Sequence, residues 1–142
     1  MNVYIMLKTK SYGVILVVAL SAILGTGIVL AQTTMTIEIG ITPATLNINL
    51  ADIDDKCVTV HTNISYAGVN CTTLELMNST GYSVASTACF PDNCGNLVVK
   101  FNRADVAGLV DSEDILELTL TLTGITLDGG SITGSDTIRV KQ

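Results

Sequence analysis

The sequence predicts an all-β domain, a single antiparallel β-sandwich of Ig-like or jelly-roll-like type with seven to nine strands, behind an N-terminal export segment. Three observations predict it. Apolar and polar residues alternate with period two in run after run of residues 35–140, the pattern of half-buried strands. Turn-forming Gly, Pro, Asn and Asp punctuate those runs at short spacing. Only Arg103 to Val110 reads as helical, a turn or two between strands.

The first element is the export segment, residues 1–31. Lys8 and Lys10 make a positive start, and Gly13 to Ala31 is a run of 19 residues without a charge. Val29-Leu30-Ala31 ends it with small residues at −3 and −1 before Gln32, which is how a secretory signal peptide ends. The run is also long enough to span a bilayer, so retention as an N-terminal anchor is the alternative. Export with cleavage after Ala31 is the preferred reading, with only transient membrane contact through that segment.

The strands follow in order. Met35, Ile37, Ile39 and Ile41 alternate with Thr36, Glu38 and Gly40, and Pro43 stops the run. Leu46, Ile48 and Leu50 alternate with two asparagines up to the acidic turn Asp52-Ile53-Asp54-Asp55. Val58, Val60 and Ile64 alternate with Thr59, His61 and Asn63; shorter strands are expected near Leu74–Leu76 and Tyr82–Ala85. Leu97, Val99 and Phe101 face one way, Val98 and Lys100 the other. Leu116, Leu118, Leu120 and Leu122 against Glu117, Thr119, Thr121 and Thr123 make the clearest strand, where strict alternation outweighs leucine's modest β preference. Asp128-Gly129-Gly130 turns the chain into Ile132, Ile138 and Val140. No repeat, linker or low-complexity stretch divides residues 32–142, so one domain is expected.

Charge narrows the partners. Residues 32–142 hold all 13 acidic residues and five of the seven basic ones, a net of −8. Phosphate binding needs clustered Lys and Arg, so nucleic acid and anionic lipid are not expected partners. The mean hydropathy of +0.52 owes part of its sign to the export run.

Cys57, Cys71, Cys89 and Cys94 are an even set in an exported chain, which points to two disulfides. Cys89-Phe-Pro-Asp-Asn-Cys94 is a short turn, so Cys89–Cys94 and Cys57–Cys71 are the expected pairs. A four-thiolate zinc site is the rival, but it lacks the two-residue ligand spacings that such sites use. Asn63-Ile-Ser65, Asn70-Cys-Thr72 and Asn78-Ser-Thr80 are acceptor sequons, and they make Asn63, Asn70 and Asn78 candidate glycosylation sites.

No catalytic residues or cofactor are expected. His61 is the lone histidine, reads as a solvent-facing strand residue, and no Gly-x-Ser-x-Gly elbow accompanies it. Tryptophan is absent, which disfavours a sugar-cleaving site despite the many carboxylates. Asp52, Asp54 and Asp55 are weak calcium candidates, as is the turn of Asp111, Glu113 and Asp114. Neither has EF-hand spacing, and a solvated turn is the preferred reading of both.

Four segments then stand out together: Ile41-Thr-Pro-Ala-Thr-Leu-Asn-Ile48, Leu97-Val-Val-Lys-Phe-Asn-Arg103, Leu120-Thr-Leu-Thr-Gly124 and Gly134-Ser-Asp-Thr-Ile-Arg-Val140. Their order resembles a small secreted module of archaeal and bacterial extracellular proteins. That module opens with a Pro…Leu-Asn strand and closes with a Gly-Ser-Asp-x-Ile-Arg strand. The resemblance covers nearly all of residues 32–142 and implies a surface β-sandwich with no general catalytic activity, so no site residue carries over. The four cysteines depart from the pattern. In physical terms Gly134 permits a close approach, Asp136 can accept backbone N–H groups, and Arg139 can pair with an acid on a neighbouring strand.

The expected function is structural: a subunit of an extracellular or cell-surface filament, pilus or matrix. Its copies would join by β-strand addition, donating Met35, Ile37, Ile39 and Ile41 to a neighbour, with glycans as further partners. The alternatives are a monomeric adhesive or ligand-binding surface module, and a pilin-like subunit that keeps the apolar segment as a helical stem.

Overall fold

The computed structural model of the chain describes residues 2–9, 14–21, 28–30, 33–49, 56–112 and 114–142. Its elements are β1 (Asn2–Thr9), β2 (Val14–Ser21), β3 (Ile28–Leu30), β4 (Thr34–Thr36), β5 (Ile39–Thr42), β6 (Thr45–Asn47), β7 (Cys57–Ser65), β8 (Val69–Met77), β9 (Ser83–Ala85), β10 (Ala88–Pro91), β11 (Asn96–Asn102), α1 (Arg103–Ala107), β12 (Glu117–Thr126) and β13 (Ser131–Lys141). The protein is all-β, with one short α-helix among the described residues. One sheet runs β1-β2-β4-β13-β12-β8-β9, with β3 on β2 and β6 on β13; the other runs β10-β11-β7-β5.

The two sheets enclose one apolar core. Leu74 and Leu76 of β8, Leu118, Leu120 and Leu122 of β12, and Ile132, Ile138 and Val140 of β13 meet Val58 and Val60 of β7 and Leu97, Val99 and Phe101 of β11. The alternation of β12 is therefore literal: its even positions from Leu118 to Gly124 are buried while Thr119 is exposed and Thr121 and Thr123 are half-buried. Gly124 continues the inward series without a side chain, because a Cβ there would lie 2.7 Å from Leu74 Cδ2. Two expectations shift, at Leu116 and at the helical turn. Leu116 is 75% exposed, since it precedes the strand and only its carbonyl joins the sheet, accepting the Val140 amide at 2.8 Å. Val98 lies outside the core cluster that takes Leu97, Val99 and Phe101, as alternation implies, and is itself buried, with Phe90 and His61 as its register neighbours. The helical turn ends at Ala107, with Asn102 Oδ1 accepting the Ala104 and Asp105 amides as its cap.

The expectation of a wholly antiparallel sheet is corrected at the N-terminal segment. β4 and β6 both pair in parallel with β13, through Ser131↔Thr34 to Thr133↔Thr36 and Arg139↔Thr45 to Lys141↔Asn47. Between them β5 crosses to the other sheet and pairs antiparallel with β7. The continuous strand expected over residues 35–41 is thus two strands in two sheets.

Ahead of the domain, β1 and β2 form an antiparallel hairpin from Asn2↔Ser21 to Thr9↔Val14, and Val14 and Ile15 pair with Met35 and Thr34 of β4. The backbone of residues 14–21 is extended, and no described helix is long and apolar enough to cross a membrane. The expected cleavage point, Ala31 and Gln32, lies outside the described residues.

Candidate functional site: the segment laid along β13

Residues 33–48 follow one edge of β13 from end to end. The Ser131 amide donates to the Thr33 carbonyl at 2.8 Å and Ile37 donates to Thr133 at 2.8 Å; at the far end Arg139 donates to Ala44 at 2.8 Å and Ile48 donates to Lys141 at 3.0 Å. The middle of the segment leaves this edge because of two inward positions on β13. At Gly134 an added Cβ would lie 2.7 Å from the Ile37 carbonyl oxygen and 2.9 Å from Ile39 Cγ2, so only glycine lets the segment dive between the sheets. Asp136 then holds it there. Its Oδ2 accepts the Ile41 amide at 3.0 Å and its Oδ1 accepts the Thr137 amide at 2.9 Å.

On the opposite side, Asn63 of β7 fastens the crossing point. Its Oδ1 accepts the Glu38 amide at 3.0 Å, and its own amide donates to the Glu38 carbonyl at 3.2 Å. Ile37 and Ile41 are buried in the core, while Met35 and Ile39 pack against it half-exposed. Thr36 and Glu38 are exposed. The four assembly-strand residues therefore fill a groove of their own chain. An open cleft of about 500 Å³ remains beside the crossing, bordered by Thr36, Glu38, Ile39, Gly134 and Ser135. Arg139 sits opposite Glu117 in the β12–β13 register.

The outer face of the larger sheet carries paired hydroxyls. Thr119 faces Thr137 at 2.9 Å, Thr121 faces Ser135 at 2.8 Å, and Thr34 faces Ser131 at 2.9 Å.

The disulfide expectation is corrected. Cys71 of β8 bonds to Cys89 of β10 with a Cα–Cα distance of 6.2 Å, while Cys57 and Cys94 are free and exposed. Cys71 and Cys89 both lie against the core, one from each sheet, so the bond clamps the sheets together. Cys94 is held away from Cys89 by its turn: Asp92 Oδ1 accepts the amides of Cys94 at 2.8 Å and Asn96 at 2.9 Å.

The three sequons separate. Asn63 is exposed and Asn70 half-buried, with Asn70 Oδ1 accepting from the Thr72 amide and hydroxyl. Asn78 is corrected to a structural residue. It is 4% exposed, its Nδ2 donates to the Leu109 carbonyl at 3.0 Å and Asp111 Oδ1 at 3.2 Å, and its Oδ1 accepts the Thr80 and Tyr82 amides. The atom a glycan would occupy is already committed. Asp111 is likewise occupied, whereas Glu113 and the calcium candidates Asp52, Asp54 and Asp55 lie outside the described residues. Among the described residues no group of three or more His, Cys, Asp and Glu could hold a metal ion. His61 is exposed, between Gly40 and Val98 in register.

Sequence reasoning missed the crossing of the segment and the part played by Asn63. The signal lay in the inward-facing Gly134 and Asp136, two non-apolar residues in a row of core positions.

No known family model and no curated protein matches the chain. A solved structure from work on host cell surface retention of a 1.5-MDa bacterial ice-binding adhesin is similar at 16% identity and a TM-score of 0.36, over 91% of this chain and 41% of that one. The chain thus spans less than half the length of the protein it is compared with.

Proposed function

We propose that this domain is a non-catalytic structural module of an extracellular or cell-surface assembly, and that the Met35–Ile41 segment is exchanged between copies. One observation carries the reading: within residues 33–142 the segment is an added strip, with β4 laid along the free side of β13 and β5 closing the end of the smaller sheet. Within residues 33–142 its backbone pairs with β13 and β7 alone, Met35 facing Val14 of β2 on the other side, and its apolar side chains enter past the notch at Gly134. A copy that lends this segment to a neighbour loses nothing that the neighbour's groove does not return, which is the condition for strand exchange. Burying two isoleucines contributes roughly 1.5–3 kcal/mol each, enough to hold a subunit once many such joints act together. The inter-sheet disulfide is of the kind that persists in oxidising, extracellular surroundings.

A monomeric surface module, adhesive or ligand-binding, is the second reading, favoured by the pairing of the segment within its own chain. The pilin-like reading draws no comparable support from the extended backbone of residues 14–21.

Complementation separates the first two. Protein truncated before Pro43 should be unstable, and a peptide spanning Thr33 to Thr42 should restore it. The protein starting at Gln32 should form concentration-dependent multimers that Ile37→Asp abolishes. A truncated protein as stable as the longer one, or a strictly monomeric longer protein at high concentration, overturns the exchange reading in favour of the monomeric one.

A further inference from the structure

The two thiols left outside the disulfide sit at opposite ends of the smaller sheet. Cys57 opens β7 and is the register partner of Asn102, where β11 closes. Cys94 lies in the turn before β11, two residues ahead of Asn96, which pairs with Ser65 at the other end of β7. β7 is nine residues long, and its eight steps at about 3.3 Å separate the two ends by about 26 Å. A disulfide tolerates a Cα separation of no more than about 7 Å, so Cys57 and Cys94 of one copy cannot join.

Both are exposed, and the chain's other two cysteines are already oxidised to a disulfide. The surroundings that form Cys71–Cys89 therefore also oxidise accessible thiols. A zinc role is closed to the four cysteines as a set, because two of them are bonded to each other.

We propose that Cys57 of one copy and Cys94 of the next form an intermolecular disulfide that links copies head to tail. The occupant of each thiol is a second copy of this chain, because the chain itself presents both halves of the joint at opposite ends. A contact that uses two different patches is heterologous and propagates as an open chain, whereas a thiol paired with its own equivalent stops at a dimer. The chemistry is thiol–disulfide exchange with a low-molecular-weight disulfide as oxidant. One protein thiolate attacks the small disulfide and expels one small thiolate; the second copy's thiolate attacks that mixed disulfide and expels the other. The protein gains one S–S bond, and the oxidant is reduced to two thiols that take up the two protons. The inference goes beyond strand exchange and does not depend on it.

The test is exported full-length protein, alkylated on collection and run on non-reducing gels, with Cys57→Ser and Cys94→Ser variants beside it. The expected result is a ladder of multiples that collapses to one band with reductant, and a cross-linked peptide pair containing Cys57 and Cys94. Each single variant should lose every species above the dimer. Fully alkylated Cys57 and Cys94 in the unreduced protein, a ladder that survives either substitution, or a Cys57–Cys94 bond within the monomer band overturns the proposal. The double variant keeps strand exchange readable: multimers that persist by light scattering while the covalent ladder is gone leave the exchange reading standing. A covalent ladder alongside a stable truncated protein has the opposite meaning.

Discussion

Asp136 Oδ2 accepts the amide of Ile41 at 3.0 Å, although the two residues belong to different sheets. A carboxylate thus replaces the missing backbone ladder where the N-terminal segment crosses from β13 to β7. Hydrogen bonds to charged groups contribute about 1.5–3 kcal/mol each, and Asp136 is half-buried, so the lower end applies. Asp136→Ala should lower unfolding stability by about 1–2 kcal/mol, read by urea titration. It should also speed hydrogen exchange at the Ile41 amide more than at amides of β12. Unchanged protection at Ile41 would count against this role.

Gly134→Ala tests the notch directly. Its new methyl meets backbone as well as side-chain atoms, so little can move aside, and overpacking of this kind costs about 1–3 kcal/mol. Gly40→Ala is the control, since nothing lies within 4 Å of its added Cβ; it should stay within about 0.5 kcal/mol of the parent. Equal midpoints for the two variants would remove the notch from the account.

Asn78→Ala should cost about 2–3 kcal/mol, because it removes a buried side chain that holds four partners and leaves the Leu109 carbonyl without its donor. In glycosylated material Asn63 should carry glycan and Asn78 should not, as read by peptide mass mapping. A glycan on Asn78 of folded protein would overturn its structural role.

Cys71→Ser should lower stability by about 3 kcal/mol, given a closed loop of 18 residues. Cys57→Ser and Cys94→Ser, both at exposed positions, should leave the isolated subunit within about 0.5 kcal/mol.

The β12–β13 turn is expected to respond to acid. The Thr126 hydroxyl and then the Gly130 amide hold the Asp128 carboxyl below its ordinary value near 3.8. A carboxylate with a depressed folded pKa adds stability that is present above the unfolded value and is lost as pH falls through the folded one. The turn should therefore loosen only below about pH 4, and Thr126→Val should move the Asp128 titration seen by NMR back up. A titration that stays put in Thr126→Val would exclude the hydroxyl as the cause.

Which residues face inward was legible wherever alternation was strict. Leu118 to Leu122, Ile138 and Val140 on one sheet, and Val58, Val60, Leu97, Val99 and Phe101 on the other, enter the core as their spacing implies. Alternation assigns a face and not a neighbour, which is why the parallel pairing of β4 and β6 was not visible. It also cannot see a strand that changes sheets, because Met35, Ile37, Ile39 and Ile41 keep their period across the break. The disulfide misled for a related reason. Only four residues separate Cys89 from Cys94 in the chain, but the Asp92 turn holds Cys94 outward, and Cys89 meets Cys71, 18 positions away. Asn78 read as a surface acceptor because a sequon carries no record of burial.

The parallel pairing of the terminal segments sets how the domain bears tension. Thr33 lies beside Ser131 and Asn47 beside Lys141, so the chain enters at one end of the shared edge and leaves at the other. A pull between Thr33 and Gln142 slides the segment and β13 past each other, and their transverse hydrogen bonds, with the Asp136–Ile41 bond among them, share the load and must yield together. An antiparallel terminal pair pulled from its open end would instead unzip one bond at a time. Single-molecule extension should accordingly show one high-force rupture, markedly lowered by Asp136→Ala, rather than a gradual low-force peel. A subunit joined to its neighbours through these ends would be a stiff link, with Cys71–Cys89 limiting how far it can lengthen once that joint gives way.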